Sequence, residues 1–201
     1  MSSDQSMSLR FNIALVLAIV CLTSSACADI EPAVDTSENN RAEYEAAAKA
    51  LRKSAEEGDA SAQFRLGQLY DEGTGVPQDH RRAMEWFEKA AKQGHVGAQV
   101  NLGTLYLRGE GAPQSDQMAL FWFSQAAERG HALAFAKLGW MSAQGRGVLQ
   151  DFIQAHKWYN LAAANGHKKA AEYRDALAEQ MTPAQIAEAQ RLAREWKPKG
   201  P

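Results

Sequence analysis

The chain has 201 residues, with 22 lysines and arginines against 24 acidic residues. That length suits one domain with a real core, or a short repeat array. The near-balance of charge excludes the strongly basic surface that nucleic acid or an anionic membrane would attract, so no nucleic-acid partner is expected. Two cysteines, Cys21 and Cys27, lie near the N-terminus. The remainder has no disulfide and must be held by packing alone.

Residues 1–28 read as a signal peptide. A polar start ending in Arg10 precedes an apolar run from Phe11 to Leu22, then the small residues Thr23-Ser24-Ser25-Ala26-Cys27-Ala28. The run is short for a membrane span, which needs about 20 residues. Ala26-Cys27-Ala28 is an A-x-A cleavage site that would start the mature chain at Asp29. Starting instead at Met7 leaves a cleaner basic flank. Ser25-Ala26-Cys27 also allows a lipid anchor on Cys27, although Ser24 stands where such signals carry leucine. The expected location is periplasmic or secreted, with an envelope lipoprotein as the alternative. Residues 29–40 are polar and acidic and are expected to form a flexible leader. Residues 41–61 read as an N-terminal capping helix, aligned with the second helix of a repeat unit.

Three units of 36 residues follow without a gap: 62–97, 98–133 and 134–169. Gly67, Gly103 and Gly139 coincide, as do Trp86, Trp122 and Trp158. The loop pairs Gly73/Gly75, Gly109/Gly111 and Gly145/Gly147 coincide too, and each unit closes on Gly-His. Each unit predicts two helices. Ala62, Leu66, Leu69 and Tyr70 share one helical face, and the glycine loop stops that helix. Asp79, Ser115 and Asp151 are N-caps for the second helices, which carry Ala83, Trp86, Phe87, Ala90 and Ala91 on one stripe. The alanines and the mid-helix glycine should let helices approach closely, with the large residues filling the spaces between. Residues 170–196 predict a C-terminal capping pair, its second helix opened by Thr182-Pro183 with Gln185 completing a capping box. Residues 197–201 form a tail.

This pattern resembles the Sel-1-like repeat family, a relative of tetratricopeptide repeats. It runs Ala98…Leu102-Gly103…Leu105-Tyr106…Gly109-x-Gly111, then Ala119…Trp122…Ala126-Ala127…Gly130-His131. The resemblance spans about Arg41 to Trp196 and implies an all-α fold, a right-handed α/α superhelical solenoid of stacked helix pairs. It further implies an adaptor or binding platform, without assigning one activity.

Catalytic and metal chemistry find little support in the residues. His95, His131 and His167 recur once per unit, too far apart to share a zinc whose ligand bonds are ~2 Å long, and their imidazoles are expected to bond local backbone. His80 and His156 occur singly. No H-E-x-x-H, Cys–His spacing or phosphate-binding glycine loop occurs, so no cofactor or metal is expected. Some cysteine-stapled relatives are linked to β-lactam chemistry, but this chain lacks the regular cysteines. A β-lactam-active or cell-wall enzyme is therefore a rival from another class, and no catalytic residue is assigned.

The recurring tryptophans are expected in the core. Residues that break the period carry more information. The first-helix stripe Ser61, Arg65, Gln68 and Glu72 lies off the apolar face and should meet solvent. It becomes Gly97, Asn101, Thr104 and Arg108 in the second unit, and Leu133, Lys137, Trp140 and Gln144 in the third. Arg65, Gln68, Asn101, Thr104, Arg108, Lys137, Trp140 and Gln144 are the candidate partner-binding residues of a groove for a protein or peptide. The bland reading packs Trp140 under the C-terminal helix instead. A monomer is expected, and an immunity protein that sequesters a periplasm-acting effector is the alternative within the binding class.

Overall fold

The computed structural model describes residues 36–198, with side chains from Glu45 onward. The signal-peptide reading, both cysteines, residues 29–35 of the leader and the last three residues of the tail lie outside the described residues. Within them the chain forms α1 (Thr36–Glu56), α2 (Ala60–Glu72), α3 (His80–Lys92), α4 (Val96–Arg108), α5 (Asp116–Glu128), α6 (Ala132–Gln144), α7 (Phe152–Ala164), α8 (Ala170–Ala178) and α9 (Pro183–Glu195). No strand occurs among the described residues. Each pair α2/α3, α4/α5 and α6/α7 packs closely, the pairs stack in chain order, and α9 folds back onto α7. This is an α/α solenoid.

The capping helix begins at Thr36 rather than Arg41, so residues 36–40, expected in the leader, are helical. Nothing between Pro32 and Gly58 interrupts a helix, and the stretch is rich in alanine. The first helices also begin two residues before the unit boundaries drawn from sequence. Asp59 caps α2 through its carboxylate on the Ala62 N–H, and His95 caps α4 through Nδ1 on the Ala98 N–H at 3.2 Å. The histidine that closes one unit thus opens the next. His131 occupies the same place before α6 but makes no such bond, and the His167 Nδ1 has no partner either, so the expected backbone bonding holds at His95 and not at His131 or His167. The second helices open as expected on Asp79, Ser115 and Asp151, each accepting a backbone N–H three residues on. Thr182 and Gln185 form the expected capping box at α9.

Two glycine positions set the stacking. At Gly103 a Cβ would stand 2.8 Å from the fully buried ring of Phe123, so this glycine admits the ring of the second helix of its own unit. Gly67 does the same for Phe87, and Gly139 for Tyr159. At Gly111, φ is 80° and a Cβ would come within 2.5 Å of the His80 carbonyl oxygen. Here a loop backbone touches the start of the preceding unit's second helix, a contact only glycine permits in that conformation. Gly147 repeats it against Asp116.

Two of the three recurring tryptophans are less buried than expected. Trp122 is buried, whereas Trp86 and Trp158 are half-buried. Their outer faces carry lysine ammonium groups, Lys89 at 3.9 Å from the ring centre and Lys157 at 4.0 Å. A ring at the edge of a stack keeps one face open, and an amphipathic lysine covers it.

Candidate partner-binding face

The eight stripe residues occupy the first helices α2, α4 and α6. All are exposed or partly exposed. The helices bury their other sides: α2 through Ala62, Leu66 and Tyr70, α4 through Ala98, Leu102 and Leu105, and α6 through Ala134, Leu138 and Met141. The stripe is therefore left over once the core is made. It is not uniform along the stack. Thr104 donates its hydroxyl back to the Val100 carbonyl at 2.9 Å, which leaves its methyl and the oxygen's lone pairs, but no donor, for a ligand. Arg108 meets Glu110 at 3.5 Å in an exposed pair of small worth.

At the far end the face deepens into a cleft of about 380 Å³. Leu107 of α4, Leu133, Ala136, Lys137 and Trp140 of α6, Tyr159 of α7, His167 in the turn before α8, and Tyr173 of α8 line it. Three successive first-helix positions in the stack, α4, α6 and α8, thus share one wall. Of the eight candidates only Lys137 and Trp140 enter the cleft, and the other six are not part of it.

Trp140 is held as a cleft residue rather than a cap residue. The Arg146 guanidinium lies 5.3 Å from its ring centre and is itself fixed by two hydrogen bonds to Asp116. The C-terminal helix takes other partners. Trp196 meets Phe135 edge-on at 5.0 Å and Trp158 at 6.4 Å. Trp196, where that helix ends, is thus set against Phe135 and Trp158, and Trp140 lines the cleft.

Burial lowers the pKa of Lys137, and the nearby Arg108 lowers it further. The Tyr159 hydroxyl is pushed up to about 12 by burial, with Tyr173 adding to the shift. Lys137 is the one lysine or arginine that lines the cleft, among aromatic and aliphatic walls. Sequence reasoning missed Leu107, Tyr159, His167 and Tyr173. For Tyr173 the signal was present: it stands 36 residues after Lys137, on the same stripe carried into α8. No three histidine, cysteine, aspartate or glutamate side chains among the described residues converge as metal ligands would.

A family model described as Sel1 repeat matches residues 60–95, 96–131 and 132–167, in the register of the helix pairs. The chain belongs to the Sel1 repeat family. A Sel1 repeat protein from Oxalobacter formigenes superposes on this Sel1 repeat chain with a TM-score of 0.65 at 31% identity, over 77% of this chain and 63% of that one. A protective antigen present in uropathogenic Escherichia coli strains gives 0.57 at 31% identity, over 74% and 40%. The Sel1 repeat chain therefore spans less than two thirds of either protein. An immunity protein from Pseudomonas aeruginosa gives only 0.38 at 19% identity, over 85% and 84%, too loose a superposition to carry an argument. No curated protein matches the sequence. Sel1 repeats are in general scaffolds for protein interaction, and this chain has their fold. No helix among the described residues is long and apolar enough to cross a membrane.

Proposed function

We propose that this Sel1 repeat protein is an exported, non-catalytic platform that holds a protein or peptide along the face of its first helices. One observation carries the reading. Leu133, Trp140 and Tyr173 stay 36–45% exposed around a cleft, although the helices bearing them have fully buried faces elsewhere. Large side chains left in water on a rigid scaffold cost solubility, and interface hot spots favour tryptophan in such pockets.

The test compares Trp140→Ala with the parent in affinity capture from envelope extract, alongside thermal melting. Lost capture with an unchanged melt supports the platform. A melt lowered by many degrees assigns Trp140 to the core and removes the anchor. Export rests on the N-terminal sequence pattern and is tested by intact mass. A chain beginning at Asp29 supports cleavage, a diacylglyceryl-modified Cys27 makes it a lipoprotein, and cytoplasmic protein retaining Met1 overturns both. Nitrocefin turnover by the purified protein would overturn the non-catalytic reading.

A further inference from the structure

The end cleft has a chemistry distinct from the rest of the face. No carboxylate lines it. Lys137 has no acidic partner among the described residues, and its charged neighbour is Arg108, another cation. Arg146, beside Trp140, is already neutralised by Asp116. A half-buried cation surrounded by apolar walls is poorly solvated, and a carboxylate brought to it gains more than one brought to an exposed lysine. The walls select for the rest of the ligand. At the places of Leu133 and Trp140 the first unit has Ser61 and Gln68 and the second has Gly97 and Thr104, so along the first-helix stripe the large apolar side chains gather at this end. A space of about 380 Å³ lies near the low end of ligand sites, with room for one or two side chains rather than a folded surface.

We infer that the cleft receives an acidic segment of a separate protein, seating a large apolar side chain against Trp140, Leu133 and Tyr173 and an adjacent Asp or Glu carboxylate on Lys137, with Arg108 beside it. The inference rests on the reading of the first-helix face as the binding face. Charge complementarity sets the sign of the partner, and the open stripe toward α4 and α2 leaves room for its flanking residues.

The experiment selects binders to the purified protein from a display library of random eight-residue peptides. The enriched sequences are then synthesised with acetylated and amidated ends and measured by fluorescence anisotropy. The expected result is enrichment of Asp or Glu next to Leu, Phe or Trp, with affinity that weakens as salt is added. Lys137→Met, which keeps the aliphatic length, should weaken these peptides by roughly tenfold or more without changing the melt. Arg108→Gln, at an exposed position, should weaken them less. Neutral apolar peptides that need Trp140 but ignore Lys137→Met would overturn the acidic assignment and leave the platform reading standing. Binders indifferent to both Trp140→Ala and Lys137→Met, or no enrichment, would overturn the inference, the former also removing this face as the platform. Self-association abolished by Lys137→Met would give the cleft to a second copy and overturn the separate partner.

Discussion

Gly103 shows how one missing side chain sets a helix distance. Its helix propensity is about 1 kcal/mol worse than that of alanine, so at an exposed helical position alanine stabilises. Here the Cβ would sit 2.8 Å from a ring that is itself fully buried and cannot swing aside. Overpacking of this kind costs about 1–3 kcal/mol. Gly103→Ala should therefore lower the urea midpoint, Gly103→Leu should lower it further, and Phe123→Leu in the alanine background should recover part of the loss. An unchanged midpoint in Gly103→Leu would show that the ring has room. His95 makes a second residue-scale prediction. Burial lowers its pKa from 6.5, partly opposed by its own backbone hydrogen bond and by Asp59, and Nδ1 must be unprotonated to accept the Ala98 N–H. The unfolded chain then takes up the proton first as pH falls. The stability this confers is present above 6.5 and is lost below it. Burial lowers His131 and His156 with the same sign. The melting temperature should drop between about pH 7.5 and about pH 5.5. His95→Asn, which keeps a capping acceptor, should drop less. An equal drop in the variant would remove His95 from the account.

At the level of elements, the third unit differs from the first two at its junction with the preceding helix. Gln63 and Gln99 are buried and donate Nε2 hydrogen bonds to the Ala55 and Ala91 carbonyls, each a second bond to a last-turn carbonyl that already accepts a backbone N–H. The third unit has Phe135 at that place, and Phe135 stacks with Trp158 and receives the edge of Trp196. The capping helix α9 thus closes the stack through an aromatic cluster, while Trp140 stays in the cleft. Trp196→Ala should cost about 2 kcal/mol, less than a fully buried tryptophan because the ring is half-buried. Trp140→Ala should cost well under half of that. Chemical denaturation of both variants checks the contrast, and equal losses would place both rings in the same role. Thr182→Ala, which removes the capping box at α9, should cost about 1 kcal/mol, seen as faster amide exchange in Pro183–Glu195.

For the whole molecule, stability is a chain of neighbour contacts, since among the described residues each helix pair packs mainly on the pairs beside it. The loop glycines Gly111 and Gly147 are where one unit's backbone rests on the next. Gly111→Ala is strained in its left-handed conformation and collides with the His80 carbonyl. It should uncouple the first unit from the second, giving a broader urea transition with a smaller apparent m-value. A sharp transition shifted as one would mean that the units remain coupled without that contact. Stacking also explains the position of the cleft. It lies where the first helices α4 and α6 meet the shortened helix α8, which takes the place of a fourth first helix.

The number of units, their paired helices, the caps at Asp79, Ser115, Asp151 and Thr182, and the family were all legible in the residues. These are local or periodic properties: a cap needs three neighbouring residues, and a 36-residue repeat marks every equivalent place at once. The solvent-facing stripe was legible for the same reason, because exposure on a helix follows from angular position. Depth was not. Whether Trp86 and Trp158 sit inside or at the rim depends on which neighbours flank them. The period marks them as equal to Trp122, and the structure separates them. Trp140 could pack under the last helix or line a cleft, and sequence spacing allowed both. In the fold Trp196 meets Phe135 and Trp158, and Trp140 lines the cleft. Tyr159, His167 and Tyr173 joined Lys137 and Trp140 only through the fold, because a site drawn from α4, α6, α7 and α8 exists only once those helices are stacked.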